Sequence, residues 1–144
     1  PLASGLQVAA ALLESLPERL RAAQPLFEAT GGLHAAGLFD EAGTLLAARE
    51  DIGRHNAVDK LAGWSFGHEA IDPARSVLAV SGRLGFEIAQ KAVMMGVPIV
   101  VSVGAASSLA VEIAQRFGLA LAAFTRPGAL NVFGRTGRVL SDRS

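Results

Sequence analysis

The chain has 144 residues, of which 51% are hydrophobic, and its 13 lysine and arginine residues balance its 13 aspartate and glutamate residues. This length suits one domain with a sizeable core, and the balance gives no net field that would attract nucleic acid or an acidic membrane surface. Cysteine is absent, which excludes a disulfide, a thiolate–metal site and a cysteine nucleophile within these residues.

The sequence also gives expectations about cellular context. No apolar run approaches the roughly 20 residues that a membrane-spanning helix needs. The first residues contain neither an initiator methionine nor a basic stretch followed by a long apolar one. We therefore expect a cytoplasmic protein without a membrane contact, and expect residues 1–144 to be a single domain of a longer protein.

The first predicted element in chain order is an amphipathic helix, because apolar residues recur at helical spacing over residues 6–22. Two strands follow at residues 30–40 and 44–49, since a turn of acidic residues and glycine separates two runs of small and apolar residues. The next apolar positions at helical spacing predict a helix that begins near Gly53 or Arg54.

Strands and helices alternate in the rest of the chain, which is typical of βαβ units with right-handed crossovers. The predicted elements are strands at residues 76–80, 97–103, 119–124 and 131–133, and helices at residues 86–95 and from Ser107 or Ser108 to Gly118. We predict an α/β domain with a mixed, mostly parallel sheet of about five strands flanked by helices. The element order is that of the cytidine-deaminase-like fold, a resemblance that says little about function.

The densest polar stretch spans residues 50–60, where a predicted strand is followed by a helix. The first amides of a helix lack intrahelical partners and favour an anion, and the guanidinium of Arg54 can bind phosphate or carboxylate through two hydrogen bonds. This pattern favours an anion site that includes Arg54, His55 and Asn56. The alternative is structural, with Asp51 capping the helix and a solvated face behind it.

Ser81, Gly82 and Arg83 repeat this arrangement after the next predicted strand. Parallel sheets bind ligands at the carboxyl ends of their strands, so we expect this loop to converge with the loop at Arg54. Taken alone, the glycine-rich turn matches neither the dinucleotide-binding pattern nor the P-loop pattern.

A third candidate segment leaves the last long predicted strand. It consists of Phe124, Thr125, Arg126, Pro127, Gly128 and Ala129. Its aromatic ring, its guanidinium and its turn amides suit a purine ring and a phosphate, although a plain strand-ending turn is the alternative. His34 is a weaker candidate, because the residues around it favour an ordinary hydrogen-bonded histidine over a ligand contact.

The sequence excludes a zinc deaminase within these residues. Such an enzyme needs His-x-Glu at the start of the second helix and Pro-Cys-x-x-Cys at the start of the third. His55 stands in the position of the first ligand, but Ala57 replaces the glutamate and no cysteine is present. Zinc-dependent hydrolysis therefore has neither its ligands nor its proton-shuttling carboxylate.

Taken together, the candidate segments resemble one known family, the formate dehydrogenase accessory sulfurtransferases (FdhD). The resemblance is carried by residues 30–36, by the string Asp-x-Gly-Arg-His-Asn-Ala-x-Asp-Lys at residues 51–60, and by residues 81–91, 106–110 and 124–133. It extends over nearly the whole chain in register.

This resemblance implies a cytoplasmic homodimer that takes sulfur from a cysteine desulfurase as a cysteine persulfide. Such a protein passes the sulfur to bis-molybdopterin guanine dinucleotide, which carries molybdenum or tungsten, before the cofactor enters formate dehydrogenase. Guanosine diphosphate is the expected mimic of this cofactor in binding experiments. The resemblance places cofactor binding at residues 124–129. Because they lie at predicted strand ends, we add to this site His34 and residues 54–56 and 81–83.

The sequence departs from the family in one respect. The family carries its persulfide cysteines in a Cys-x-x-Cys-type loop upstream of the Thr-Gly-Gly-x-His segment, and this chain has no cysteine. A sulfane sulfur needs a thiolate carrier, so we expect these residues to bind cofactor but to be inactive alone as a sulfurtransferase. The alternatives are a non-catalytic carrier or scaffold module that binds a guanine nucleotide or the mature cofactor, and a structural dimerisation domain.

Overall fold

The structure is a computed structural model that describes residues 1–23 and 34–141, without the side chains of Arg54 and His55. Its α-helices are α1 (Ala10–Ala22), α2 (Arg54–Phe66), α3 (Phe86–Met95) and α4 (Ser108–Phe117). Its strands are β1 (Val8–Ala9), β2 (His34–Asp40), β3 (Leu45–Asp51), β4 (Ser76–Val80), β5 (Ile99–Ser102), β6 (Ala120–Arg126), β7 (Ala129–Gly134) and β8 (Val139–Leu140). Residues 30–33 of the predicted first strand lie outside the described residues.

The main sheet has six strands in the order β3-β2-β4-β5-β6-β7. The three central strands, β4, β5 and β6, are parallel. The β2–β3, β2–β4 and β6–β7 pairs are antiparallel. The predicted α/β fold with a mixed sheet flanked by helices is confirmed, with one correction: the sheet is not mostly parallel, because the two hairpins place antiparallel pairs on both sides of its parallel centre.

The sheet separates two layers of core, because successive side chains of a strand point to opposite faces. In β4, Val77 and Ala79 pack in the layer beneath α1, whereas Leu78 and Val80 pack in the layer beneath α2, α3 and α4. All four are buried. This alternation explains why β4 reads as one continuous apolar run, since both of its faces are covered.

The ends of the helices follow from local sequence. Gly96 ends α3 with φ 82°, and Gly118 ends α4 with φ 77°, a backbone conformation that glycine adopts without steric cost. The hydroxyl of Ser107 caps α4 by accepting a hydrogen bond of 3.1 Å from the amide of Ala110. Among the described helices, none combines the length and the apolar character needed to cross a membrane.

Candidate functional site

One edge of the sheet collects the polar loops that follow its strands. The loops after β4 and β5 and the turn after β6 leave this edge because the three strands are parallel. The antiparallel hairpin brings His34, which pairs with Asp51, to the same edge. We call this region the loop edge and define it as His34 with residues 51–56, 81–85, 103–107 and 124–128.

Hydrogen bonds between loops give the loop edge a fixed shape. The hydroxyl of Ser102, at the end of β5, donates to the carbonyl oxygen of Gly82 and accepts a hydrogen bond of 3.0 Å from the amide of Gly104. The amide of Phe124 donates to the carbonyl oxygen of Gly104 at 2.9 Å. The loops after three neighbouring strands are therefore connected in one chain of contacts through a buried serine.

Ser81 continues this network toward β2. Its hydroxyl oxygen accepts a hydrogen bond of 2.9 Å from the amide of Ala35, and its own amide donates to the carbonyl oxygen of Ala35 at 3.0 Å. Ser81 therefore fixes the start of β2, next to His34, and within the described residues its hydroxyl hydrogen has no acceptor among the hydrogen bonds found.

A groove lies between α1 and the loop edge. It consists of a cavity of about 60 Å³ beside Ala35 and Ser81 and a cavity of about 160 Å³ beside Thr125, Arg126 and Pro127. Both cavities are also lined by Pro17, Arg21 and Val103. We call the two cavities together the α1 groove.

Sequence reasoning missed the contribution of α1 to this groove. Arg21 lines both cavities, and Glu18 lines the larger one. Both side chains are exposed. They occupy an ordinary amphipathic helix far from the loops in sequence, and a charged residue in the last turn of such a helix carries no motif that would reveal a site.

The loop edge has a second concavity on the opposite side of the sheet. A cavity of about 250 Å³ lies between the first turns of α3 and α4 and is lined by Arg83, Gly85 and Ser107. The structure thus separates the predicted loop 81–83. Ser81 faces the α1 groove, whereas Arg83 lies with the helix N-termini on the other side.

The predicted segment 124–129 divides into exposed and internal groups. Phe124 is 46% exposed and has φ 52°, the only positive φ among the described non-glycine residues. Arg126 is exposed, but Thr125 is buried and its hydroxyl donates to the carbonyl oxygen of Ala122 at 3.0 Å. Thr125 therefore has its hydroxyl occupied within the protein, whereas Phe124, Arg126 and Pro127 are exposed side chains that a ligand can reach.

The turn itself is held against α1. The amide of Gly128 donates to the buried carboxylate of Glu14 at 3.0 Å. Because Glu14 and Arg21 belong to the same helix, this contact fixes the position of Arg126 relative to the α1 groove.

Asp51 holds the start of α2 through local contacts, of which the one to Gly53 reaches the residue before the helix and not a helical amide. Its carboxylate accepts hydrogen bonds from the Gly53 amide at 3.0 Å and the Asn56 side chain at 3.4 Å, and it pairs with Lys60 at 2.8 Å. The hydrogen bond from Lys60 and then that from Gly53 lower the pKa of Asp51 to about 2. The predicted site residues Arg54 and His55 begin α2 at the loop edge, but their side chains lie outside the described residues.

The whole chain has relatives among known proteins. The family model described as FdhD/NarQ matches residues 1–140. The chain is 50% identical over 139 residues to the sulfur carrier protein FdhD of Mycolicibacterium paratuberculosis, covering 96% of this chain and 51% of that protein. It is 53% identical over 132 residues to the protein of the same name from Mycobacterium tuberculosis, covering 92% of this chain and 48% of that protein. The chain spans about half the length of these curated relatives.

Solved structures agree with this relationship. A crystal structure described as that of a formate dehydrogenase accessory protein from Desulfotalea psychrophila superposes with a TM-score of 0.86 at 34% identity, covering 95% of this chain and 58% of that one. A variant of NE0047 in complex with 8-azaguanine superposes with a TM-score of 0.60 at 14% identity, covering 81% of this chain and 79% of that one. The second likeness is one of fold alone.

Proposed function

The chain belongs to the FdhD/NarQ family, in agreement with the resemblance of its sequence motifs. From this premise we propose that it is the cofactor-binding body of a sulfur carrier for formate dehydrogenase. In this proposal the whole protein is a cytoplasmic homodimer that receives sulfur from a cysteine desulfurase. It passes that sulfur to bis-molybdopterin guanine dinucleotide, which is its substrate. The relatives named as sulfur carrier proteins support the assignment.

The observation that carries the proposal is the connected loop edge. Ser102 and Gly104 join the loops after β4, β5 and β6, so their polar groups keep fixed positions relative to one another. Ligands of α/β sheets bind at the carboxyl ends of parallel strands, where preorganised contacts lose little entropy on binding. A rigid, polar rim of this kind suits a large anionic nucleotide.

The α1 groove offers groups that match a guanine nucleotide. Phe124 does not line the groove, but in the same turn as Arg126 it presents a half-exposed aromatic face on which a purine can stack. Arg21 and Arg126 line the groove and can bind phosphate oxygens bidentately. Glu18 offers a carboxylate that can accept hydrogen bonds from the N1–H and amino group of guanine. We assign the nucleotide end of the substrate to this groove.

Residues outside the α1 groove complete the proposed site. Arg83 and the N-termini of α3 and α4 offer positive charge on the opposite side of the loop edge. Residues 54–56 begin α2 at the same edge. His34 is adjacent to them through its pairing with Asp51. In our proposal these groups contact the remaining phosphates of the dinucleotide.

The chemical step of the proposal requires a persulfide, in which a thiolate holds the sulfane sulfur and is regenerated when that sulfur leaves. These 144 residues contain no cysteine. We therefore assign binding and orientation of the cofactor to them, rather than carriage of the sulfur. A sequence that encodes Cys-x-x-Cys upstream of Pro1 in the same protein would support the sulfurtransferase assignment.

The alternative is a carrier or scaffold module that binds the same nucleotide without sulfur chemistry, and a full-length protein without a Cys-x-x-Cys segment would favour it. Guanosine diphosphate binding agrees with both assignments. A structural dimerisation domain is the third possibility, and it would show no such binding.

Calorimetric titration of guanosine diphosphate into the chain tests the proposed site. We expect Arg126→Ala to weaken binding by about 1–3 kcal/mol, the cost of losing a charge-assisted hydrogen bond. Arg116→Ala is the matched control, because Arg116 is an exposed arginine of α4 that lies outside the α1 groove. Equal affinities of a folded Arg126→Ala and the unmodified chain would remove this turn from the site, and no binding by either would favour the dimerisation domain.

A further inference from the structure

Another polar cavity lies at the edge of the sheet opposite the loop edge. It has a volume of about 230 Å³ and is lined by residues 4–7, Arg135, Gly137 and Arg138. Its position follows from the topology: β6 begins and β7 ends at this edge, where the amide of Arg135 donates to the carbonyl oxygen of Leu119 at 2.9 Å. We call this cavity the arginine pocket.

Arg138 is buried in the wall of the arginine pocket, with 3% of its surface exposed. Its Nε donates to the carbonyl oxygen of Gly118 at 2.7 Å, and its Nη1 donates to the carbonyl oxygen of Ser4 at 2.6 Å. Its Nη2 is buried and has no hydrogen-bond partner in the described part of the chain. Burial, and then the charge of Arg135, lower the pKa of this guanidinium.

Arg135 adds a second positive charge beside the first. A Cβ placed on Gly118 would lie 3.3 Å from Nη1 of Arg135 and 3.8 Å from Nη2 of Arg138, so both guanidinium groups approach the same point of the backbone. The ion pairs found among the described residues involve other arginines and lysines. Two neighbouring guanidinium groups, one of them buried, thus lie together with no ion pair to a carboxylate within residues 1–23 and 34–141.

Part of this arrangement has a structural explanation. The carboxyl end of α4 carries partial negative charge and attracts cations, and Arg138 satisfies the carbonyl oxygen of Gly118 there. That contact accounts for Nε and leaves Nη2 unexplained. A buried, charged donor without a partner is costly, and an anion in the adjoining cavity would supply both the missing acceptor and the missing countercharge.

We propose that the arginine pocket binds an oxyanion, either a phosphate group or a carboxylate, through Nη2 of Arg138 and the guanidinium of Arg135. The described lining carries no acidic side chain that would compete with a bound anion for the two guanidinium groups. This site lies at the other end of β6 from the proposed nucleotide site. Neither its occupation nor its loss therefore depends on the function assigned to the loop edge.

Amide chemical shifts of the chain, followed during titration with sodium phosphate or sodium acetate at constant ionic strength, test this proposal. We expect saturable shifts at residues 4–7 and 135–138 with at least one of the two anions. Saturation by phosphate alone assigns a phosphate group, saturation by acetate alone assigns a carboxylate, and saturation by both assigns an oxyanion of either kind.

Two variants show whether the arginines are responsible. Arg135→Gln should raise the dissociation constant about tenfold, because one charge-assisted contact is lost. Arg116→Gln removes the same charge from an exposed position on α4 outside the pocket and should leave the dissociation constant unchanged. Arg138 is kept intact because its contacts to Ser4 and Gly118 support the fold. The proposal is overturned if neither anion gives saturable shifts at these residues, or if Arg135→Gln binds as tightly as the unmodified chain.

Discussion

Replacing Phe124 with alanine or with glycine separates the effect of its backbone conformation on stability from the contribution of its ring to ligand binding. Phe124 holds φ 52° while its side chain is 46% exposed. A left-handed conformation costs an L-residue about 1–2 kcal/mol. Alanine keeps that cost and glycine removes it, but fixing glycine costs about 0.5–1 kcal/mol of additional backbone entropy. We expect the glycine variant to be more stable than the alanine variant by about 0.5–1 kcal/mol.

This difference is measurable by calorimetric melting. A domain of this size has an unfolding entropy of about 0.3 kcal/mol/K, so the glycine variant should melt about 2–3 °C above the alanine variant. Both variants lose the aromatic face, and both should bind guanosine diphosphate more weakly by about 1–3 kcal/mol, the scale of one stacked base.

The two readouts refute different parts of the reasoning. Equal melting temperatures would show that the conformation of Phe124 does not reduce stability. Unchanged guanosine diphosphate affinity in both folded variants would show that the ring does not stack on the ligand. An affinity loss confined to one variant would show that the backbone of the turn matters more than the ring.

Three further predictions concern contacts that stabilise the fold, two of them at the loop edge and one at the opposite edge of the sheet. Asp51→Asn should lower the free energy of unfolding near neutral pH. Because the pKa of Asp51 in the folded chain is about 2, below its usual 3.8, the loss of stability measured by urea unfolding should shrink as the pH falls from 3.8 to 2. A loss that persists at pH 2 would contradict the ion pair with Lys60. Ser102→Ala leaves the carbonyl of Gly82 and the amide of Gly104 without their partner and should cost about 1–3 kcal/mol in urea unfolding, with a smaller loss arguing against the connected loops. Gly134→Ala should lower stability by more than about 2 kcal/mol, since Gly134 has φ 82° and a Cβ there would collide with the carbonyl oxygen of Leu119. The control is Gly63→Ala, because a Cβ on Gly63 of α2 would meet no other atom. This control variant should have a raised melting temperature.

The parts of the fold that the sequence predicted are those with local causes. β4 and α3 have their predicted bounds, because an apolar run and a helical repeat ending in glycine are properties of short segments. α1 begins at Ala10 rather than at residue 6, since the preceding residues form β1 and pair with β8 from the far end of the chain. Two-residue strands carry no periodicity by which a sequence could reveal them.

The site shows the same division. The meeting of the loops after parallel strands was predicted, because strand direction alone places them at one edge. The sequence did not predict that Arg21 lines the α1 groove or that the Thr125 hydroxyl bonds within the protein. These features depend on how α1 packs on the sheet and how the chain turns after β6. The burial of Arg138 is equally invisible in sequence, since arginine is usually exposed and its backbone partners lie at distant positions.

The most direct test of the central claim is a map of amide chemical shifts on addition of guanosine diphosphate. If one edge of the sheet holds the nucleotide, saturable shifts will concentrate at residues 81–83, 103–107 and 124–128, together with the last turn of α1. Shifts confined to the opposite edge, at residues 4–7 and 135–138, or no saturable shifts at all, would contradict it.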